Sequence, residues 1–136
     1  MRVSYAGLYD EKPDAIIGSR IFRLGSSIKR SYLRHVLGRL FATVTGFLLK
    51  LGTYDSQCGA KVFRKHVLET AFGEGFISRW IFDIEILIRL KGFKVIECPL
   101  TRWVDIKGSK VRMWREAITV LSEIIKIRNS YRNFIQ

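Results

Sequence analysis

Residues 80–100 read WIFDIEILIRLKGFKVIECPL, and this stretch distinguishes an all-β fold from a mixed one. Apolar residues alternate with others over residues 80–88, as in a half-buried strand. However, the run of eleven residues is long for a strand and ends at Lys91-Gly92, which is typical of a helix stop. Residues 93–100 form a shorter apolar run that ends near a proline. We therefore predict a helix followed by a strand.

The same patterns predict the elements on either side. An apolar run at residues 14–18 indicates a buried strand, and Ser26 or Ser27 can cap a long amphipathic helix that reaches residue 51 and stops at Gly52. The remaining predicted elements are a short strand at 61–63, a helix at 65–72 closed by Gly73, and an amphipathic helix at about 111–127. This order predicts an α/β or α+β fold with few strands for its helices, which suggests one part of a larger domain.

Composition excludes several classes of protein. The 136 residues are enough for one domain, and 24 basic against 12 acidic residues give a net charge of +12, which predicts an anionic partner. The longest uncharged run, residues 40–49, is too short to span a bilayer, and residues 1–13 do not form a signal peptide. Cys58 and Cys98 predict reduced thiols in a cytoplasmic setting. His35 and His66 lack metal-ligand neighbours, so we expect surface or cap positions and no metal site in this chain.

Two segments place polar groups where a site can form. Ile17-Gly18-Ser19-Arg20 puts a glycine, a hydroxyl and a guanidinium at the end of a predicted strand, where ligands bind in open α/β sheets. A solvated loop arginine is the alternative. Residues 54–61, YDSQCGAK, crowd polar side chains into a turn, although Asp and Ser also serve simply as turn formers.

Two further segments carry charge in informative places. Residues 78–85, SRWIFDIE, set Asp83 and Glu85 inside an apolar run, where an unpaired charge is costly. On a helix these two carboxylates point in different directions, so they do not chelate one metal; one can face a site while the other pairs with Arg79 or Arg89. Structural ion pairs are the alternative. Residues 107–110, KGSK, form a basic loop before a helix, suited to a phosphate or simply solvated.

Together these segments resemble the C-terminal half of a family 2 glycosyltransferase, nearest to the dolichyl-phosphate β-glucosyltransferases and related polyprenyl-phosphate sugar synthases. The resemblance runs over residues 14–128. Its specific parts are residues 55–64, DSQCGAKVFR, and residues 79–87, RWIFDIEIL; it also includes residues 17–20 and 108–111.

The resemblance implies a GT-A fold with a Rossmann-like nucleotide half. It implies inverting transfer of a sugar, a hexose such as glucose, from a nucleoside diphosphate to a polyprenyl or dolichyl phosphate, with Mg²⁺ or Mn²⁺, at the cytoplasmic face of a membrane. The family binds nucleotide and metal through an Asp-x-Asp region that has no counterpart here. We therefore expect residues 1–136 to form a single partial domain, the acceptor-side half, which is inactive alone.

The resemblance also selects site residues. A phosphate acceptor is already nucleophilic near neutral pH, so positioning and charge stabilisation are the main requirements. We expect Asp55, with Asp83 and Glu85 after it, to supply the catalytic carboxylate. The expected phosphate-binding residues are Arg20, Arg79, Ser109 and Lys110. The expected supporting residues of the acceptor loop are Ser19, Gln57, Gly59 and Lys61.

The long helix provides the predicted link to an anionic membrane surface. Its apolar stripe lies beside basic residues at 29, 30, 34 and 39, as in a peripheral interfacial helix, although a core helix with a solvated polar face has the same pattern. The rival functions are a basic nucleic-acid-binding module and a membrane-surface module without catalysis. No nucleic-acid-binding motif is present, so nucleic acid is not an expected partner.

Overall fold

The computed structural model describes residues 12–29, 32–104 and 113–135. Within these ranges the fold mixes short strands with helices, as the sequence predicts. The strands are β1 (Ala15–Ser19), β2 (Ser27–Lys29), β3 (Lys61–Phe63), β4 (Val95–Pro99) and β5 (Arg102–Val104). The helices are α1 (Tyr32–Leu49), α2 (Leu68–Phe72), which follows a 3₁₀ turn at Lys65–Val67, α3 (Phe82–Arg89), α4 (Met113–Ser130) and α5 (Arg132–Ile135).

Strand β1 is the centre of a three-stranded sheet ordered β3-β1-β4. It pairs antiparallel with β3 and parallel with β4, so that Gly18 lies opposite Cys98 and Ser19 opposite Pro99. Strands β2 and β5 form a separate parallel pair. The sheet therefore delivers the end of β1, and the residues that follow it, beside the end of β4.

Helix α3 is buried between two apolar clusters. On one side, Ile84 and Ile88 pack with residues of α1, α4 and α5. On the other, Ile86 and Leu90 pack with Ala15 of β1 and with residues around α2. A helix buried on several sides has no continuous polar face, so its sequence lacks the usual helical period of polar residues. The predicted order of helix then strand is confirmed.

The predicted start and end of the long helix are wrong. Neither Ser26 nor Ser27 caps it: Ser27 begins β2, and the Ser26 hydroxyl both accepts from the Arg23 amide at 2.9 Å and donates to the Arg23 carbonyl at 2.7 Å. The helix starts at Tyr32. It ends at Leu49, and Lys50 rather than Gly52 takes the left-handed conformation, with φ of 49°.

Gly18 is required where the chain after α1 crosses the end of β1. Its amide donates to the Ala60 carbonyl at 2.7 Å. A Cβ at Gly18 would lie 3.0 Å from the Ala60 Cβ and 3.1 Å from the Cys58 Sγ, both closer than ordinary packing allows. The glycine therefore lets residues 58–60 lie directly against β1.

Replacing Gly18 by Ala is expected to lower the free energy of unfolding by about 1–3 kcal/mol, because the new methyl group overpacks this contact. Urea denaturation followed by circular dichroism measures the change. Gly59→Ala in the same loop is the matched control, because a Cβ there meets nothing within 4 Å. Equal stabilities of the two variants would contradict the close-packing interpretation.

Candidate active site

A bidentate ion pair between Arg20 and Asp55 forms the centre of the candidate site. Arg20 directly follows β1, and Asp55 lies in the loop between α1 and β3. The arginine Nε donates to the Asp55 Oδ2 at 2.6 Å and its Nη2 donates to Oδ1 at 2.7 Å, while the Arg20 backbone amide donates to Oδ2 at 3.1 Å. Both side chains are largely buried. Paired charge-assisted bonds of this kind fix the plane of the carboxylate and are stronger than neutral hydrogen bonds.

The backbone around Asp55 is held from two other elements. The Glu97 carboxylate of β4 accepts from the amides of Tyr54 and Asp55, each at 2.8 Å. From α1, Arg39 donates to the Tyr54 carbonyl at 2.9 Å, and its guanidinium carbon lies 3.7 Å from the centre of the Tyr54 ring. One peptide segment is thus bound by an anion at its amides and by a cation at its carbonyl. This arrangement orders the loop before any ligand arrives.

Several polar groups surround this pair. His35 and Arg39 line a small pocket together with Arg20, Tyr54 and Asp55. The Arg20 guanidinium also lies over the Trp103 ring of β5, 5.3 Å from its centre, a cation–π distance. The site therefore combines two guanidiniums, an imidazole and one carboxylate, an arrangement suited to an anionic ligand.

Two serine hydroxyls at the site are buried: that of Ser19, a predicted site residue, and that of Ser56, which follows Asp55. Within the described ranges, the Oγ atoms of Ser19 and Ser56 have no hydrogen-bond partner. They belong to the residues next to Arg20 and Asp55. A buried hydroxyl without a partner is costly, so a ligand atom or ordered water that reaches either oxygen adds stability.

A second ion pair connects the same loop to α3. The Lys61 Nζ donates to the Asp83 Oδ1 at 2.7 Å and to the Cys58 carbonyl at 2.6 Å. The Cys58 amide in turn donates to the Asp55 carbonyl at 3.3 Å, closing a turn. Lys61 therefore lies beside the Asp55 turn, and this turn joins the Asp55 and Asp83 pairs.

Glu85 lies in a different environment from Asp55 and Asp83. Its side chain is fully buried and accepts from the amides of Ile77 at 3.0 Å and Ser78 at 2.8 Å. The Arg89 guanidinium lies 3.9 Å away, one turn along α3. Asp83 and Glu85 do point in different directions, and Arg89 is the cation beside Glu85.

Three other predicted site residues are at least partly exposed. Arg79 is exposed just before α3, Gln57 is half-buried and Gly59 is exposed. Ser109 and Lys110 lie outside the described residues. The structure therefore brings together Arg20, Ser19 and Asp55 in one place and Lys61 and Asp83 next to it.

Divalent-metal binding does not fit the residues present. In the described ranges there is no group of three or more His, Cys, Asp and Glu side chains able to hold a metal ion. Asp55 and Asp83 are each paired with a cation, Arg20 and Lys61, which compete with a metal for the same oxygens. No reaction step is therefore assigned to a metal held by these side chains.

Sequence reasoning missed three contributors to the site: Glu97, Arg39 and Trp103. Glu97 is a carboxylate within a strand, an unusual position that is itself a signal. The sequence pattern places Arg39 with the membrane-facing basic residues, because helical spacing alone does not show which neighbour a side chain reaches. Trp103 lies on β5, a strand that was not predicted.

Comparison with known proteins finds curated relatives that share one name. The chain is 33% identical over 119 residues to a dolichyl-phosphate beta-glucosyltransferase of Dictyostelium discoideum, covering 85% of this chain and 36% of that protein. It is 31% identical over 135 residues to the enzyme of that name from Saccharomyces cerevisiae, covering 96% and 40%, and 32% identical over 116 residues to that of Homo sapiens, covering 84% and 36%. No family model and no solved structure matched.

The chain is therefore homologous to family 2 glycosyltransferases over most of its length. More narrowly, these matching relatives are dolichyl-phosphate beta-glucosyltransferases, and the resemblance read from the sequence is confirmed. The chain spans only 36–40% of the length of these curated relatives.

Proposed function

We propose that this chain is the acceptor-side part of a glucosyltransferase that transfers glucose from a nucleoside diphosphate sugar to dolichyl or a related polyprenyl phosphate. The homologues' names support the reaction class. The observation that carries the proposal is the buried Arg20–Asp55 pair, because it joins two of the family-like segments, residues 17–20 and 55–64, at the end of β1.

The proposed mechanism is positioning with charge stabilisation. A phosphomonoester acceptor has a second pKa of about 6, so it is mostly dianionic near neutral pH and needs no base to become a nucleophile. Arg39 and His35, beside Arg20, would attract the acceptor phosphate. Asp55 would fix the Arg20 guanidinium, and its own negative charge would keep the pocket from holding the anion too tightly. Attack on the anomeric carbon from the side opposite the diphosphate would invert its configuration.

We also propose that the chain forms one half of a GT-A domain, residues 1–136, with nucleotide and metal bound by another part. In the sheet formed by the described residues, β3 is an edge strand, and Val62 on it is 65% exposed. Ile16 and Ile96 lie in register with Val62 across the sheet and are half-buried. An apolar row at a sheet edge favours a further strand and a covering layer, which the longer relatives have the length to supply. Mg²⁺ or Mn²⁺, if used, would bind in that part.

The reaction can be tested with a joined polypeptide. In it, this chain follows the part of the Saccharomyces cerevisiae protein that precedes the matched region. We expect it to transfer glucose from UDP-glucose to dolichyl phosphate. The relative's preceding part alone is the control and should not transfer. If the joined polypeptide folds and binds UDP-glucose but does not transfer, the proposed acceptor role is wrong.

Helix α1 supports a peripheral membrane location at the cytoplasmic face. Four exposed apolar side chains, Tyr32, Val36, Leu40 and Phe47, fall within about 80° of arc on α1 at 3.6 residues per turn. Such a stripe, in a chain of net charge +12, suits an anionic lipid surface. No helix in the described ranges has both the length and the apolar composition needed to cross a bilayer.

Replacing Phe47, which is 84% exposed, by Gln is expected to weaken binding to vesicles of mixed neutral and anionic phospholipid by about tenfold, because a phenylalanine no longer enters the interface. Vesicle co-sedimentation measures the change, and added salt should weaken binding of both proteins. Val62→Gln, another exposed apolar residue but on β3, is the matched control. If the two variants lose binding equally, α1 is not the membrane-facing surface.

A further inference from the structure

The segment before α3 is fixed by charged side chains at both of its ends. Arg89, although only 8% exposed, donates to the carbonyls of Ala71 at 3.2 Å, Glu74 at 2.9 Å and Gly75 at 2.7 Å. Glu85 accepts from the two amides that follow, at Ile77 and Ser78. One guanidinium and one carboxylate on α3 therefore determine the backbone path of residues 71–78.

Helix α4 and Tyr131, the residue that follows it, complete this network. The Tyr131 hydroxyl accepts from the Arg89 Nε at 2.8 Å and donates to the Glu85 Oε2 at 3.3 Å. Burial raises the pKa of Tyr131, which keeps the hydroxyl protonated and able to donate. The Ser78 hydroxyl donates to the Glu123 carboxylate and accepts from the amides of the next turn, Trp80 at 3.1 Å and Ile81 at 2.9 Å.

Arg79 is the residue that follows Ser78, a member of this network. That residue is exposed, and within the described ranges no hydrogen bond or ion pair occupies its guanidinium. It lies between Ser78, which is buried and bonded on three sides, and the start of α3, which carries Asp83. A buried charged network is an expensive way to gain stability alone, since apolar side chains of similar volume often do as well or better. Its directional hydrogen bonds do, however, fix the backbone path of residues 71–78.

We propose that Glu85 is a positioning residue: with Arg89 and Tyr131 it holds residues 71–78 so that Arg79 stands ordered and unpaired, ready to bind the phosphate of an anionic substrate. This assignment rests on the proposed function. It replaces the catalytic role expected for Glu85, whose carboxylate is enclosed and reaches backbone amides instead.

The test compares three variants of the 136-residue chain by NMR. The readouts are amide hydrogen exchange at residues 77 and 78 and affinity for citronellyl phosphate, with inorganic phosphate as a second ligand that lacks the isoprenoid. Glu85→Gln keeps the side-chain shape and removes its charge. Arg79→Gln removes the proposed ligand. Glu74→Gln is the matched control, because it removes a carboxylate from the same segment while leaving the backbone carbonyl that Arg89 uses.

We expect Glu85→Gln to speed exchange at residues 77 and 78 and to weaken phosphate affinity by about tenfold, as a lost charge-assisted bond would. Arg79→Gln should weaken affinity equally without changing exchange, and Glu74→Gln should change neither. Weakening of both ligands alike would show recognition of the phosphate, and weakening of citronellyl phosphate more would show that the isoprenoid also depends on this segment.

Faster exchange in Glu85→Gln with wild-type affinity would overturn the inference, since the network would then be structural only. Unchanged exchange in Glu85→Gln would also overturn it. If Glu85→Gln does not fold, Tyr131→Phe, which removes one hydroxyl and no charge, should give the same pattern with a smaller amplitude, and its failure to do so counts against the inference. Absence of phosphate binding by the wild-type chain would instead contradict the proposed function, and with it the role of Arg79.

Discussion

Replacing Asp55 by Asn is expected to lower glucosyl transfer by about two to three orders of magnitude in the joined polypeptide described above. The amide accepts at most one of the two side-chain bonds from Arg20, and it carries no charge to orient the guanidinium. Loss of a preorganised electrostatic group has effects of about this size on kcat. Steady-state rates with UDP-glucose and dolichyl phosphate measure the loss.

Asp14→Asn is the matched control for this prediction. Asp14 lies just before β1, at the opposite end of the strand from Arg20, and its carboxylate accepts from the Lys94 amide at 2.8 Å and contacts His66 at 2.9 Å. The Lys94 hydrogen bond lowers the pKa of Asp14, so this group too is ionised near neutral pH. Transfer by Asp14→Asn should stay within about twofold of wild type. Near-normal transfer by Asp55→Asn would return Asp55 to the role of a turn former.

The largest expected effect on stability is that of Arg89→Met. The substitution leaves Glu85 fully buried without its cation and removes the donor to three carbonyls. Removing one partner of a buried ion pair costs about 3–5 kcal/mol. Urea denaturation at pH 7 should show that fall in the free energy of unfolding.

Arg79→Met provides the comparison, because it makes the same chemical change ten residues earlier, at an exposed side chain. Its effect should be within about 0.5 kcal/mol. Similar destabilisation by both variants would mean that net charge, rather than the buried network, sets the stability.

The helix and strand of residues 80–100 were predictable, and the reason is local. A run too long for a strand, a Lys-Gly stop and a following β-branched segment are all features of neighbouring residues. Strand β2 was not predictable in the same way. Its three residues pair with Arg102–Val104, more than seventy positions along the chain, so the serine that looks like a helix cap becomes part of a strand through a non-local contact.

In the candidate site, too, local features were predictable and non-local contacts were not. Sequence segments indicated Arg20, Asp55, Lys61 and Asp83 as chemically important, and the structure pairs each carboxylate with one of the two cations. Which cation meets which carboxylate depends on how β1, β3 and α3 come together, and spacing along the chain does not contain that information. Glu97 was missed for a related reason, since its role is to bind the backbone of a loop that comes more than forty residues earlier.

The central claim is that this chain carries the acceptor side of the transferase and another part carries the nucleotide side. The most direct measurement is an NMR titration of the 136-residue chain with citronellyl phosphate and, separately, with UDP-glucose. The buffer for UDP-glucose contains Mg²⁺ and no Mn²⁺. We predict that citronellyl phosphate shifts the amides around Arg20, Asp55 and Arg79, and that UDP-glucose leaves the spectrum unchanged. Clear binding of UDP-glucose, or no response of these amides to citronellyl phosphate, would contradict the account.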